Sequence, residues 1–173
     1  NWNIIAWPGA AWAKRMFPEL SGIEAQSKLA DAIFDASRVN TTDPVEEWKK
    51  HNEVLRKKCK WLNELDFASL HFNGPGTDLI VGLADGHEWM GGASIAQNGI
   101  TCNPNIPSEE VFTTPHALNV NGSVCSTKPL SHQGALIDEI QVRFENGKIT
   151  NAKASKGEEV LLKILDSDEG ARR

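Results

Sequence analysis

The stretch EIQVRFENGKITNAKA, residues 139–154, decides the fold class of the second half of this sequence. Asn146-Gly147 separates two short segments that are typical of strands, Glu139 to Phe144 and Lys148 to Ala154. An Asn-Gly pair suits a two-residue turn between antiparallel strands, because both residues tolerate positive φ angles. The stretch therefore predicts a β-hairpin.

Further short strands are predicted on the N-terminal side of this hairpin, beginning after about Ala68. Gly74-Pro75-Gly76 and Asp85-Gly86 are turn signals between them. The additional predicted strands are Ser69 to Asn73, Asp78 to Ala84, Gly99 to Asn103, Val111 to Thr114 and Gly122 to Ser126. After the hairpin, Gly157 to Leu165 returns to a helical pattern.

The first part of the chain is mostly helical. Trp2 to Ala6 predicts a short buried strand that Pro8 stops, and Ala10 to Phe17 predicts a short helix. A longer helix follows Ser21-Gly22. Its predicted apolar face is formed by Ile23, Leu29, Ile33 and Phe34.

The third predicted helix begins at Thr42-Asp43-Pro44, where a capping side chain precedes a proline that needs no hydrogen bond. Its predicted apolar face is formed by Val45, Trp48, Leu55, Cys59 and Leu62. The basic residues on its other side are interpreted as a solvated face. The fold class is therefore α+β: a helical or αβ first part, residues 1–68, followed by a mostly antiparallel β-rich part, residues 69–173.

Composition excludes several classes of protein. The 173 residues carry a net charge of −5, which argues against nucleic-acid and anionic-membrane partners. The sequence contains no run of 18 apolar residues, so no membrane-spanning helix is predicted. Cys59, Cys102 and Cys125 are widely spaced and odd in number, so we predict packing residues in a reducing cytoplasm rather than disulfides or a structural zinc site.

Glu109-Glu110 is the most informative pair of charged residues. Adjacent residues entering a strand point to opposite faces, so these two carboxylates cannot act as a general acid/base pair with each other. Val111 and Phe112 follow, and a buried carboxylate in apolar surroundings requires a metal ion or a cationic partner. The alternative interpretation is that both side chains are solvated at a loop edge.

Other catalytic patterns are absent from the sequence. The five histidines form no HExxH motif, no GxSxG motif occurs, and Gly74-Pro75-Gly76 lacks the residues of a phosphate loop. A hydrolase of another class could combine Glu110 with a distant carboxylate such as Asp78 or Asp138. Each of these two aspartates alone is more typical of a turn or strand start.

Several motifs occur in a fixed order along the whole chain. They are Trp12-Ala13-Lys14, Phe17-Pro18, Gly74 to Leu79, Trp89 with Gly91-Gly92, Asn105 to Pro115, Lys128-Pro129-Leu130 with Gly134, Phe144 to Lys148, and Glu169 to Arg172. The ordered set resembles the thermophilic-type metallo-aminopeptidase family, represented by aminopeptidase T, aminopeptidase S and PepS. The eleven residues Asn105 to Pro115 are the most specific of these matches.

The resemblance implies a role for Glu110. In that family the glutamate directly before Val-Phe-Thr is a ligand of a two-metal centre, which makes Glu110 the expected metal ligand and leaves Glu109 off the metals. The ions would be zinc, cobalt, manganese or magnesium. The family's other ligands, a second Glu, two His and an Asp, are expected beyond a sequence like Gly170-Ala171-Arg172. No residue is assigned as a catalytic acid or base, or to substrate.

The resemblance also implies the function of the complete protein, an aminopeptidase that removes N-terminal residues from peptides. Relatives are commonly homodimers, so a cytoplasmic homodimer acting on peptide substrates is expected. The chain itself is expected to be an internal fragment that is inactive and holds no stoichiometric metal. The alternative is a non-catalytic interaction module that keeps an aminopeptidase-like fold.

Overall fold

The structure is a computed structural model that describes residues 2–173. Helices dominate its first part and strands its second. The elements in chain order are β1 (Ile4–Ile5), α1 (Ala10–Met16), α2 (Gly22–Ala36), α3 (Pro44–Leu65), β2 (Ser69–Gly74), β3 (Thr77–Leu83), β4 (Met90–Gly91), β5 (Ser94–Ile95), β6 (Thr101–Cys102), β7 (Asn105–Ile106), β8 (Val111–Phe112), β9 (Pro115–Cys125), β10 (Leu130–His132), β11 (Ala135–Ile137), β12 (Gln141–Glu145), β13 (Lys148–Lys153) and α4 (Glu158–Leu165). This arrangement confirms the predicted α+β class.

The described residues form two compact units, and each unit is built from two separate stretches of chain. Unit 1 runs up to Glu64 and also includes Trp89–Phe112. Unit 2 consists of Leu65–Glu88 and Thr113–Arg173. The division of the sequence into domains 1–68 and 69–173 stays a prediction.

In unit 1, α1 and α2 pack around a small apolar core. Helix α2 begins with a capping box, in which the Ser21 hydroxyl accepts from the Glu24 N–H and the Glu24 carboxylate accepts from the Ser21 N–H. The core consists of Ala13, Ala25, Leu29 and Ile33. The predicted apolar face of α2 is therefore only partly right.

The error in that face concerns Ile23 and Phe34, which are 84% and 42% exposed. Buried positions 25, 29 and 33 follow each other at four-residue steps along one side of the helix. Ile23 precedes Ala25 by two residues, which places it about 200° away around the axis at roughly 100° per residue. It consequently points away from α1.

Helix α3 starts as predicted, with the Asp43 carboxylate accepting from the Glu46 N–H at 3.0 Å. Leu55 and Cys59 are buried, and burial raises the pKa of the Cys59 thiol. The opposite side is exposed and carries ion pairs three or four residues apart, which involve Lys49, Lys50, Arg56, Lys57 and Lys60. Neither α3 nor any other described helix is long and apolar enough to cross a membrane.

Three pairs of two-residue strands complete unit 1. β1 and β7 are parallel, whereas β4 with β8 and β5 with β6 are antiparallel. The predicted strand near the start is correct in type but not buried, since Ile4 and Ile5 are 63% and 60% exposed. Among the described residues β7 is its only strand neighbour, so β1 lies at an open edge. Cys102, in β6, is exposed rather than packed.

Unit 2 contains a five-stranded antiparallel sheet in the order β13-β12-β9-β3-β2 and the separate antiparallel pair β10-β11. The predicted hairpin joins β12 and β13, where Asn146 and Gly147 adopt φ angles of 50° and 76°. Strand β9 begins at Pro115, seven residues before the predicted strand. A second core is formed by Ile137, Leu161 and Leu165, where α4 packs beside β11 and β13.

Candidate metal centre

Glu110 lies in unit 1, directly before β8 and at the end of a short loop that follows β7. The Ile106–Pro107 peptide bond in this loop is cis. The Glu110 side chain is exposed. It lines a cavity of about 740 Å³ within unit 1. The predicted metal ligand is therefore accessible from a concave surface.

The wall of this cavity combines apolar and polar groups. Its apolar side chains include Trp89, Met90 and Phe112, and Arg56 and Asn52 contribute polar atoms. Two consecutive glycines, Gly91 and Gly92, bring the main chain of β4 and the residue after it to the same surface. A volume of several hundred Å³ with mostly apolar walls and few polar groups is typical of ligand sites.

Glu109 has different surroundings from Glu110. Arg38 donates to both of its carboxylate oxygens, at 2.6 Å and 3.2 Å. The hydrogen bond from Arg38 holds the pKa of the Glu109 carboxyl below its usual range. Both oxygens of Glu109 are thus engaged, whereas no basic side chain in the described part of the chain forms an ion pair with Glu110.

His51 extends the same contact network. Its Nε2 lies 2.7 Å from the Ser108 carbonyl oxygen, and its Nδ1 lies 3.2 Å from Arg38 Nη2. A carbonyl can only accept and a guanidinium can only donate, so Nε2 carries the proton and Nδ1 is the acceptor. The neutral ring satisfies both partners.

Trp48 supports the two basic residues of this network. The Arg38 guanidinium lies over its ring at 5.2 Å, and the His51 ring meets it edge-on at 5.4 Å. The indole N–H of Trp48 donates to the Ser37 carbonyl at 2.8 Å, which ties the helix to the residue before Arg38. Arg38 itself adopts a φ of 59°. We call Arg38, Trp48, His51 and Glu109 the arginine cluster.

Helix α3 also holds the segments around the cavity through two amide side chains. Asn52 and Asn103 exchange two reciprocal hydrogen bonds of 2.9 Å. Asn63 accepts from the Trp89 N–H at 2.7 Å and donates to the Trp89 carbonyl at 3.2 Å. The Trp89 indole nitrogen is buried and has no partner among the described residues.

The residues of this chain fit a metal ion only in part. A carboxylate oxygen at a cavity is a donor that suits divalent ions, and Glu110 supplies one. Within residues 2–173, no group of three or more His, Cys, Asp or Glu side chains is arranged to hold a metal. Glu110 could therefore be one ligand of an ion whose other ligands come from elsewhere.

The two aspartates considered as distant partners of Glu110 belong to unit 2. Asp78 lies 2.7 Å from His71 Nε2, in the neighbouring strand. Asp138 accepts from the Glu139 N–H at 2.9 Å. Both carboxylates thus have local partners near a strand, as their sequence positions suggest.

The arginine cluster was not predicted from the sequence. The predicted apolar face of α3 is right for Leu55 and Cys59 but wrong for Val45, which is 67% exposed, and the polar side chains of His51 and Asn52 interrupt it. Residues three or four positions apart on a helix are neighbours, so Trp48, His51, Asn52 and Leu55 form one surface. Polar residues on an otherwise apolar helix face were the available signal. Arg38 gave none, because its role depends on a left-handed backbone and a partner 71 residues away.

Comparison with known proteins identifies the family. A family model described as "Thermophilic metalloprotease (M29)" matches residues 1–173. Aminopeptidase T from Thermus aquaticus is 52% identical over 173 residues, and aminopeptidase PepS from Streptococcus thermophilus is 42% identical over the same length. These alignments cover 100% and 99% of this chain, but 42% of each relative.

A solved structure gives the same result for the fold. Wild-type AmpT from Thermus thermophilus superposes with a TM-score of 0.91 at 48% sequence identity, covering 100% of this chain and 42% of that one. The chain thus spans less than half the length of the relatives that it matches. The resemblance predicted from the ordered motifs is confirmed, and the chain belongs to the thermophilic metalloprotease family M29.

Proposed function

We propose that the whole protein is a metal-dependent aminopeptidase that removes N-terminal residues from peptides, using a centre of two divalent ions. The observation that carries this proposal is the family match over residues 1–173. Relatives named as aminopeptidases, with identities of 42% to 52%, support it. Peptides with a free N-terminus are the proposed substrates.

Glu110 is the proposed ligand that this chain contributes. Its carboxylate is exposed at the cavity of unit 1, while both oxygens of Glu109 are bound by Arg38. Of the two adjacent glutamates, only Glu110 therefore has a carboxylate left over for an ion. The ions are proposed to be zinc, cobalt, manganese or magnesium, since oxygen and imidazole ligands suit all four. When bound, such ions polarise a carbonyl and lower the pKa of water.

The residues of this chain supply position and surroundings. Trp89, Met90 and Phe112 form an apolar wall beside Glu110, whose carboxylate stays exposed to solvent at the cavity. Arg38 neutralises Glu109, so the adjacent negative charge adds little to the field at Glu110.

Substitution of Glu110 tests this assignment in the full-length enzyme. Glu110→Gln keeps the size of the side chain and removes its charge, so we expect at least about tenfold weaker metal binding and a matching loss of turnover. Metal content by mass spectrometry of the native protein and peptide hydrolysis are the measurements. Glu64→Gln, an exposed glutamate paired with Lys60, is the control. Normal metal content and turnover in Glu110→Gln would refute the assignment.

We also propose that the 173 residues by themselves are inactive and bind no stoichiometric pair of ions. One carboxylate is far from the four to six ligands that divalent ions usually take. A verified 173-residue preparation should show no hydrolysis of amino-acid amides with or without added Zn²⁺ or Co²⁺. Turnover that survives removal of trace full-length peptidase contradicts this expectation.

The resemblance further supports a cytoplasmic homodimer for the full-length enzyme. Sedimentation of the purified protein, in the presence of its metal, tests the dimer. The rival function is a non-catalytic interaction module with the same fold. A full-length protein that binds no divalent ion and hydrolyses no peptide would favour that rival.

A further inference from the structure

We propose that Arg38 and His51 are positioning residues, which fix the loop that carries Glu110 so that its carboxylate is presented to a metal ion. This inference rests on the proposed role of Glu110 as a ligand. It concerns residues of unit 1 that do not themselves touch the ion.

The contacts of His51 and Arg38 converge on the loop directly before Glu110. His51 binds the main-chain carbonyl of Ser108, and Arg38 binds the carboxylate of Glu109. These are the two consecutive residues directly before Glu110. Because the contact of His51 is to the main chain, it holds the loop at Ser108 whatever rotamers the loop's side chains adopt.

The main chain immediately after Glu110 is held by strand pairing. β4 pairs with β8, which places Gly91 opposite Val111. A Cβ at Gly91 would lie 2.5 Å from the Glu110 carbonyl oxygen, so the two main chains are in close contact there. Glu110 therefore lies between two main-chain contacts, one at Ser108 and one at Val111.

The side chains of Arg38 and His51 are largely shielded from solvent, at 24% and 12% exposure, although the Glu109 carboxylate that they contact is 62% exposed. A two-pronged guanidinium–carboxylate pair also fixes direction, which a single lysine contact does not. A ligand that is ordered before the ion arrives loses less freedom on binding, and the affinity rises accordingly.

Metal affinity of the full-length enzyme, measured by competition with a chromophoric chelator for Zn²⁺, tests the inference. Arg38→Ala and His51→Ala should each weaken Zn²⁺ binding about tenfold or more. Arg38→Lys should be intermediate, and His51→Gln, whose amide can reach the Ser108 carbonyl, should recover part of the loss. Lys50→Ala is the control: it breaks an exposed 2.8 Å ion pair with Glu47 on α3, the helix that carries His51, and should leave the Zn²⁺ affinity unchanged.

A double-mutant cycle separates positioning from general destabilisation. If Arg38 acts through Glu109, then Arg38→Ala, Glu109→Ala and the double variant should show nearly the same loss of affinity. Additive losses, or an affinity within twofold of wild type while the melting temperature falls, would overturn the positioning role. Glu110→Gln in the same assay tells the two proposals apart. If it alone weakens Zn²⁺ binding, only the positioning role fails. If it too has no effect, both fail.

Discussion

Glu109 and Glu110 have the same chemistry but different surroundings, because neighbouring residues in extended chain point in opposite directions. One carboxylate is bound by Arg38 and the other lines the cavity. The sequence alone predicts that the two side chains diverge. It does not predict which cation binds Glu109, since that partner lies 71 residues away.

Gly122 is a position in the five-stranded sheet of unit 2 where only glycine fits without strain. It lies in β9 between Leu79 and Phe144, adopts a φ of 121°, and a Cβ there would overlap the Asp78 carbonyl oxygen. We expect Gly122→Ala to destabilise the sheet by about 2 kcal/mol or more, from strain and overpacking together. Amide hydrogen exchange in β3 and β9 of the full-length protein measures this locally.

Gly74 provides the matched control in the same sheet. It ends β2, and a Cβ at that position would meet nothing within 4 Å. Gly74→Ala should change the free energy of local opening, measured by exchange, by less than about 1 kcal/mol. Ala fits at this position without a clash and also restricts the unfolded chain. Equal effects of the two substitutions would show that the close approach of Gly122 to Asp78 does not restrict the side chain at position 122.

At the scale of elements, the capping box should stabilise the first turn of α2. Ser21→Ala removes the acceptor for the Glu24 N–H and should cost about 1 kcal/mol. Ser27→Ala, in the same helix but exposed, should be neutral or slightly stabilising because Ala favours helix. Exchange of the first-turn amides of α2 measures both. An equal response to the two variants would count against the cap.

The same cap predicts a pH dependence. Hydrogen bonds from Ser21 lower the pKa of Glu24 from its ordinary value of 4.5. A lowered folded-state pKa means that the stabilisation is complete above 4.5 and is lost as the pH falls through the folded-state value. After correction for intrinsic rates, we expect the α2 amides of the wild type to exchange faster once the pH falls below the folded-state pKa of Glu24. Glu24→Gln should not show this increase. NMR titration of the Glu24 carboxyl checks the direction independently.

Elements with a strong local signal were predictable from sequence. Asn146-Gly147 fixed a hairpin because both residues adopt positive φ, and Asp43-Pro44 marked the start of α3. The short strands β4, β5, β7, β10 and β11 were missed. A strand of two or three residues is too short to show a periodic pattern in the sequence. Its strand conformation depends on pairing with a strand from elsewhere in the fold.

Taken together, the contacts of unit 1 join distant parts of the chain through one helix. In unit 1, the face of α3 that carries Trp48, His51 and Asn52 holds segments separated from it by more than fifty residues. The ordered motifs predicted the family and led to Glu110 as the proposed ligand. They could not predict the contacts of Arg38 and His51 with the loop before Glu110, because hydrogen bonds between distant segments leave no spacing pattern in the sequence.

Metal removal from the full-length enzyme should therefore have a local structural effect beside the loss of turnover. Chelation leaves the Glu110 carboxylate without its proposed ion, so the amides of Ser108 to Phe112 should exchange faster, while those of β9 and β12 should stay unchanged. Adding Zn²⁺ back should restore both slow exchange and activity. In Glu110→Gln, exchange in this loop should no longer respond to the ion. A response to chelation spread evenly over all strands, or none at residues 108–112, would contradict a metal site built on this loop.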